Sequence, residues 1–99
     1  MRAVGLVRTS VSADPNADED TIRSIAASRG YELCGILHIR PNTYLPTVLT
    51  VQTVHEHRAA AVIAPALRHL GGTERAVALA CDVVTQRQTV RRTGNAGPG

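Results

Sequence analysis

The chain contains no lysine, no phenylalanine and no tryptophan, and only two cysteines and two tyrosines in 99 residues. Each shortage excludes something. With Tyr31 and Tyr44 as the sole aromatic residues, the core has to be built from Val, Ile, Leu and Ala, and nucleic-acid bases are offered no stacking platform. Cys34 and Cys81 lie inside apolar runs rather than in a spaced framework; they read as small buried hydrophobes in a reducing compartment, and the expectation is a cytoplasmic protein. No apolar run is long enough to span a membrane, and Ala3 to Val7 is too short for the core of a secretory signal, so neither is expected. His55 and His57 are two apart, which points them away from each other on a helix, and no cysteine or carboxylate completes a zinc set with them. Gly71-Gly72 fits neither a phosphate-loop nor a dinucleotide pattern. No metal and no cofactor are expected.

What is present is a Val/Ala-rich chain, 43% hydrophobic, with a formal charge of +3 carried by 11 basic residues that are all arginine. This length suits one domain with a single modest core, and no second, DNA-reading module is expected. The charge is uneven. Asp14, Asp18, Glu19 and Asp20 crowd one segment, whereas Arg87, Arg91 and Arg92 fall in a final stretch without acids. Residues 1–86 read as the domain and 87–99 as a flexible basic tail.

Strand and helix signals alternate along the chain. AVGLVRTS, residues 3–10, is a buried strand that ends in Arg8 and Ser10; while the backbone stays extended, those two side chains share a face, about 7 Å apart. Asp14-Pro15-Asn16 is a turn, and Asp18, Glu19 and Asp20 cap a helix that buries Ile22, Ile25 and Ala26 and closes at Gly30. YELCGILHI is a second strand and RPNTYLP a loop. TVLTVQTVHEHR is rich in β-branched residues, but Val48, Val51 and Val54 recur at three and Pro46 suits a first turn, so a helix is expected. AAAVIAPAL is a third strand, and Gly71-Gly72-Thr73 opens a helix with Ala76, Val77, Ala80 and Val84 on one stripe. This rhythm predicts a small three-layer α/β domain with a mostly parallel sheet of three or four strands. Ligands of such sheets sit beyond the carboxyl ends of the strands, where Arg8, Ser10, Arg68 and His69 fall.

At these residues the sequence resembles the catalytic domain of the serine recombinases, the resolvase and invertase type. MRAVGLVRTS is similar to the family's first strand, which ends in the nucleophilic serine, and HRAAAVIAPALRHLGG is similar to its third strand and the Asp-Arg-Leu-Ser-Arg motif that follows. The likeness covers roughly residues 2–84. It implies a resolvase-type fold in which Ser10 stands at the nucleophile, Arg8 at the first arginine and Arg68 or His69 at the motif arginine, with Arg8, Arg68 and His69 as phosphate contacts. The departures are specific. Aligned on Leu70, the motif reads Arg68-His69-Leu70-Gly71-Gly72, without its acid or its final arginine. Ile39 lies near the place of the acid that ends the family's second strand, and the long dimerisation helix and helix-turn-helix have no counterpart in these residues. The expectation is a degenerate recombinase-like domain acting in weak, electrostatic DNA or phosphate binding or in protein interaction, with self-association or a protein partner left open. The alternative is a site-specific DNA recombinase, active by itself or completed by a partner, with Ser10 as nucleophile in strand exchange.

Overall fold

A computed structural model describes residues 1–93. β1 (Arg2–Arg8) is flanked on one side by β2 (Glu32–Ile39) and on the other by β3 (Ala61–Ile63), both parallel to it. β4 (Asp82–Val84) lies parallel beside β3, and β5 (Thr89–Val90) closes the sheet antiparallel, so that the strand order is 2-1-3-4-5. The chain leaves β1 in one direction and, after β2, returns across it in the other. With crossovers of one hand, that reversal places α1 (Pro15–Arg29) on one face and α2 (Pro46–His57) and α3 (Glu74–Ala78) on the other.

Strand alternation supplies both cores. Ala3, Val7, Ala61, Ile63 and Val84 pack with Ile22, Ile25 and Ala26 of α1. Leu6, Val62 and Val83 pack with Val54 of α2 and Val77 and Ala78 of α3. Burying a side chain such as Ile22, which is fully enclosed, contributes about 1.5–3 kcal/mol. Gly5 permits that approach, because a Cβ there would stand 2.9 Å from Ile22 Cγ2 and 3.0 Å from Ile36 Cγ1.

The α/β architecture, the mostly parallel sheet and all three helix positions agree with the sequence reading; four details differ. β1 ends at Arg8, and Thr9–Val11 turn into a single 3-10 turn, so the shared face expected for Arg8 and Ser10 does not arise. The turn is held where the Thr9 hydroxyl donates to the Ile39 carbonyl. Asp14, not the acids after it, caps α1: its carboxylate accepts from the Asn16 and Ala17 amides, with Pro15 at the first helical position. In α2 the buried positions are Thr50 and Val54, while Val48 stays half exposed.

The last difference is the largest. α3 stops at Ala78, and Val84 lies in a fourth parallel strand rather than on a helical stripe. Val83, Val84 and Thr85 are consecutive β-branched residues, which suit a pleated strand. Ala61 to Ala64 are also fully buried, and without β4 they would form an exposed edge. The sheet thus has five strands instead of three or four, and Thr89–Val90 carry it past the boundary expected at residue 86. The Thr93 amide donates to the Ala78 carbonyl. Of the stretch 87–99 read as a flexible tail, residues 94–99 lie outside the described residues.

Candidate functional site

The reversal of strand order at β1 opens a rim beyond the carboxyl ends of β1 and β3, the general location of ligand sites in open α/β sheets. Arg8 and Ser10 leave β1 there, and the 3-10 turn Leu67–Leu70 brings Arg68 and His69 to it from β3. The four residues do not play equal parts.

Arg8 and His69 are locked together. The Arg8 backbone amide donates to His69 Nδ1 at 3.0 Å, while Arg8 Nε donates to the His69 carbonyl at 3.0 Å and a terminal guanidinium nitrogen to the Leu70 carbonyl at 3.4 Å. The guanidinium lies flat against Gly71: a Cβ there would be 2.7 Å from Arg8 Cζ, and φ of +59° already favours glycine. Gly71 therefore serves as the seat of Arg8.

His69 is fully buried. Because Nδ1 accepts a hydrogen bond, the neutral ring carries its proton on Nε2. That nitrogen has no hydrogen-bond partner among the described residues, and the nearest anion, Asp18 Oδ2, is 3.6 Å away, beyond hydrogen-bonding reach. Burial pushes the imidazole below its ordinary pKa; the Asp18 charge opposes this, and those of Arg68 and Arg8 reinforce it. The same Asp18 oxygen accepts from the Ser12 hydroxyl at 2.5 Å. The order is Ser–Asp–His, with the carboxylate between the other two, so the His69 imidazole is not placed to take the proton of the Ser12 hydroxyl.

Ser10 and Arg68 are exposed. The Ser10 hydroxyl engages no protein group among the described residues. Arg68 instead borders a cavity of about 300 Å³ between the carboxyl ends of β3 and β4 and the first turns of α1. Its polar walls are Asp18, Thr21, Arg68, Gln86, Arg87 and Gln88. The β4–β5 hairpin holds the last three: Thr85, buried, donates through its hydroxyl to the Gln88 carbonyl and accepts from the Gln88 amide, so Arg87 is carried on a braced turn.

The structure thus brings Arg8 and His69 into one interlocked pair and sets Arg68 on the border of the same cavity as a second cation, Arg87, assigned from sequence to the tail. The signal for Arg87 was the run of β-branched residues before Gln86 and the Thr89-Val90 pair after it, which together spell a hairpin. Nothing local marks Asp18, whose neighbour His69 is distant in the chain. Among the described residues no group of three His, Cys, Asp or Glu could hold a metal ion, and no helix is long and apolar enough to cross a membrane. Comparison of the chain with protein-family models, curated proteins and solved structures finds no match in any of the three.

Proposed function

We propose that this is a resolvase-like domain that binds a phosphate-bearing ligand at the carboxyl rim of its sheet and performs no strand transfer by itself. The observation that carries this reading is the unequal use of the rim arginines. Arg68 and Arg87 border an open cavity, while Arg8, the residue matched to the family's catalytic arginine, donates to main-chain carbonyls. Phosphoryl transfer from a serine needs several cations free to follow charge onto the phosphate oxygens. Binding needs only guanidinium donors facing one anion, for which arginine's planar fork is suited.

The test is binding of inorganic phosphate and of a short DNA duplex across a salt series. Arg68→Ala and Arg87→Ala should each weaken binding and, for the duplex, flatten the salt dependence by about 0.9 in log–log slope per lost contact. Ser10→Ala should leave both unchanged. Wild-type protein that binds neither probe at low salt refutes the proposal.

One observation favours a second reading, a recombinase completed by a partner: Ser10 is exposed and its hydroxyl is free of protein partners among the described residues. Incubation with a nicked duplex followed by denaturation separates the two. No adduct is expected, and a protein–DNA adduct abolished by Ser10→Ala would establish the alternative.

A further inference from the structure

Resting on the phosphate-binding reading, we propose that the ligand is a small phosphorylated sugar or polyol rather than a nucleotide or a DNA backbone. The cavity bordered by Arg68 and Arg87 does not end at its own walls. Thr21, Thr85 and Gln86 are shared with a groove of about 380 Å³ that runs along α1 past Ser24, Ser28 and Arg29. Together they form a trough with Arg68, Arg87 and Asp18 at one end, Arg29, which donates to the Thr89 hydroxyl, at the other, and hydroxyl and amide groups between them, within the size range of small-molecule sites.

The chemistry of those walls selects the head group. The Ser24 hydroxyl and the Gln86 amide both donate and accept, while the Thr21 hydroxyl, whose proton goes to the Ala17 carbonyl, and Asp18 accept only. Vicinal hydroxyls can satisfy both kinds of group at once. A nucleobase is held best by stacking on an aromatic face, and none of the residues bordering the cavity or the groove is aromatic. A DNA backbone needs a track of unpaired cations, whereas along α1 Arg23 is paired with Glu19 and Asp20 and Arg29 donates to the Thr89 hydroxyl, and at the end of β1 Arg8 is internal. Asp18 would also face a second backbone phosphate with like charge. A single phosphate on Arg68 and Arg87 leaves Asp18 Oδ1, the oxygen that does not hold Ser12, to accept from a ligand hydroxyl.

The experiment is calorimetric titration of the full chain at low salt with ribose 5-phosphate, glucose 6-phosphate, adenosine 5′-monophosphate, inorganic phosphate and unphosphorylated glucose. At least one sugar phosphate should bind ten-fold or more tightly than inorganic phosphate and adenosine monophosphate, and glucose should not bind. Ser24→Ala, at an exposed position that borders the groove and not the cavity, should erase most of that margin while leaving inorganic phosphate affinity unchanged; Arg87→Ala should weaken sugar phosphate and inorganic phosphate alike. Equal affinity for sugar phosphates and inorganic phosphate overturns the sugar assignment but leaves phosphate binding standing. Tighter binding of adenosine monophosphate overturns it in favour of a nucleotide, and no binding of any phosphate overturns both.

Discussion

At the carboxyl end of β1, Arg8, His69 and Asp18 are bound to the protein itself beside an exposed Ser10, whereas at the carboxyl ends of β3 and β4, on the same rim, the cations and amides face outward. Arg8 has its donors on the His69 and Leu70 carbonyls, His69 Nδ1 is filled by the Arg8 amide, and Asp18 holds Ser12. Arg68, Gln86, Arg87 and Gln88 are exposed around a cavity. The contrast teaches that a charged residue at a strand end is not thereby a site. An arginine that satisfies main-chain carbonyls contributes to folding and is costly to detach, while one with no protein partner remains available to an anion.

The comparison breaks first at His69. His69→Ala leaves a cavity in a fully buried position and strips the Arg8 amide of its acceptor; a loss of about 3 kcal/mol or more is expected in denaturant unfolding. A loss below about 1 kcal/mol would mean that the locked side of the rim is not structural.

Gly71→Ala comes next. It places a Cβ against the Arg8 guanidinium at a positive φ, for an expected loss of about 1–3 kcal/mol. Combining it with Arg8→Ala should recover part of that loss, since the clash disappears. A double variant as impaired as the sum of the two single variants would show that Gly71 and Arg8 are not coupled.

The pH dependence is smaller and has a definite sign. His69 has a folded-state pKa depressed by burial, so the unfolded chain binds more protons as the pH drops through the ordinary histidine value near 6.5. Its contribution should be complete above about pH 6.5 and decline from there toward the depressed folded value. Glu19, whose pKa is lowered first by its hydrogen bond with His38, contributes in a separate and more acidic window, above the ordinary carboxylate value and lost as the pH falls through the folded one. Denaturant midpoints at pH 7.5 and 5.5 for wild type and His69→Gln should differ in slope, with the variant flatter. Equal slopes would place the acid sensitivity elsewhere.

The sequence made the scaffold legible where periodicity and punctuation agreed. Ile22, Ile25 and Ala26 lie on one helix face and Gly30 ends that helix at φ of +73°, and the helix from Pro46 prevails over its β-branched composition because Val54 finds a sheet to pack on and Thr50, also buried, donates its hydroxyl to the Pro46 carbonyl. It was less legible at the fourth strand. Ala76, Val77, Ala80 and Val84 fit a helical stripe as written, and only the open side of β3, a tertiary fact, decides that Val84 belongs to the sheet. The rim was half legible: position along the chain put Arg8, Ser10, Arg68 and His69 at strand ends, but which donors are spent depends on carbonyl directions in the turn Leu67–Leu70, and these have no sequence signature. Of the two cysteines read as buried, Cys34 is only half-buried, while Cys81 is enclosed and burial raises its thiol to about 11, out of the reactive range.

The most direct test of a spent β1 end and an open β3–β4 end is an amide nuclear magnetic resonance titration of the protein with inorganic phosphate at low salt. Saturable shifts are expected at residues 66–68 and 85–88, with residues 8–12 unmoved and Arg87→Ala abolishing the response. Shifts centred on Arg8, Thr9 and Ser10 that survive Arg87→Ala would contradict the account and return the anion to the serine.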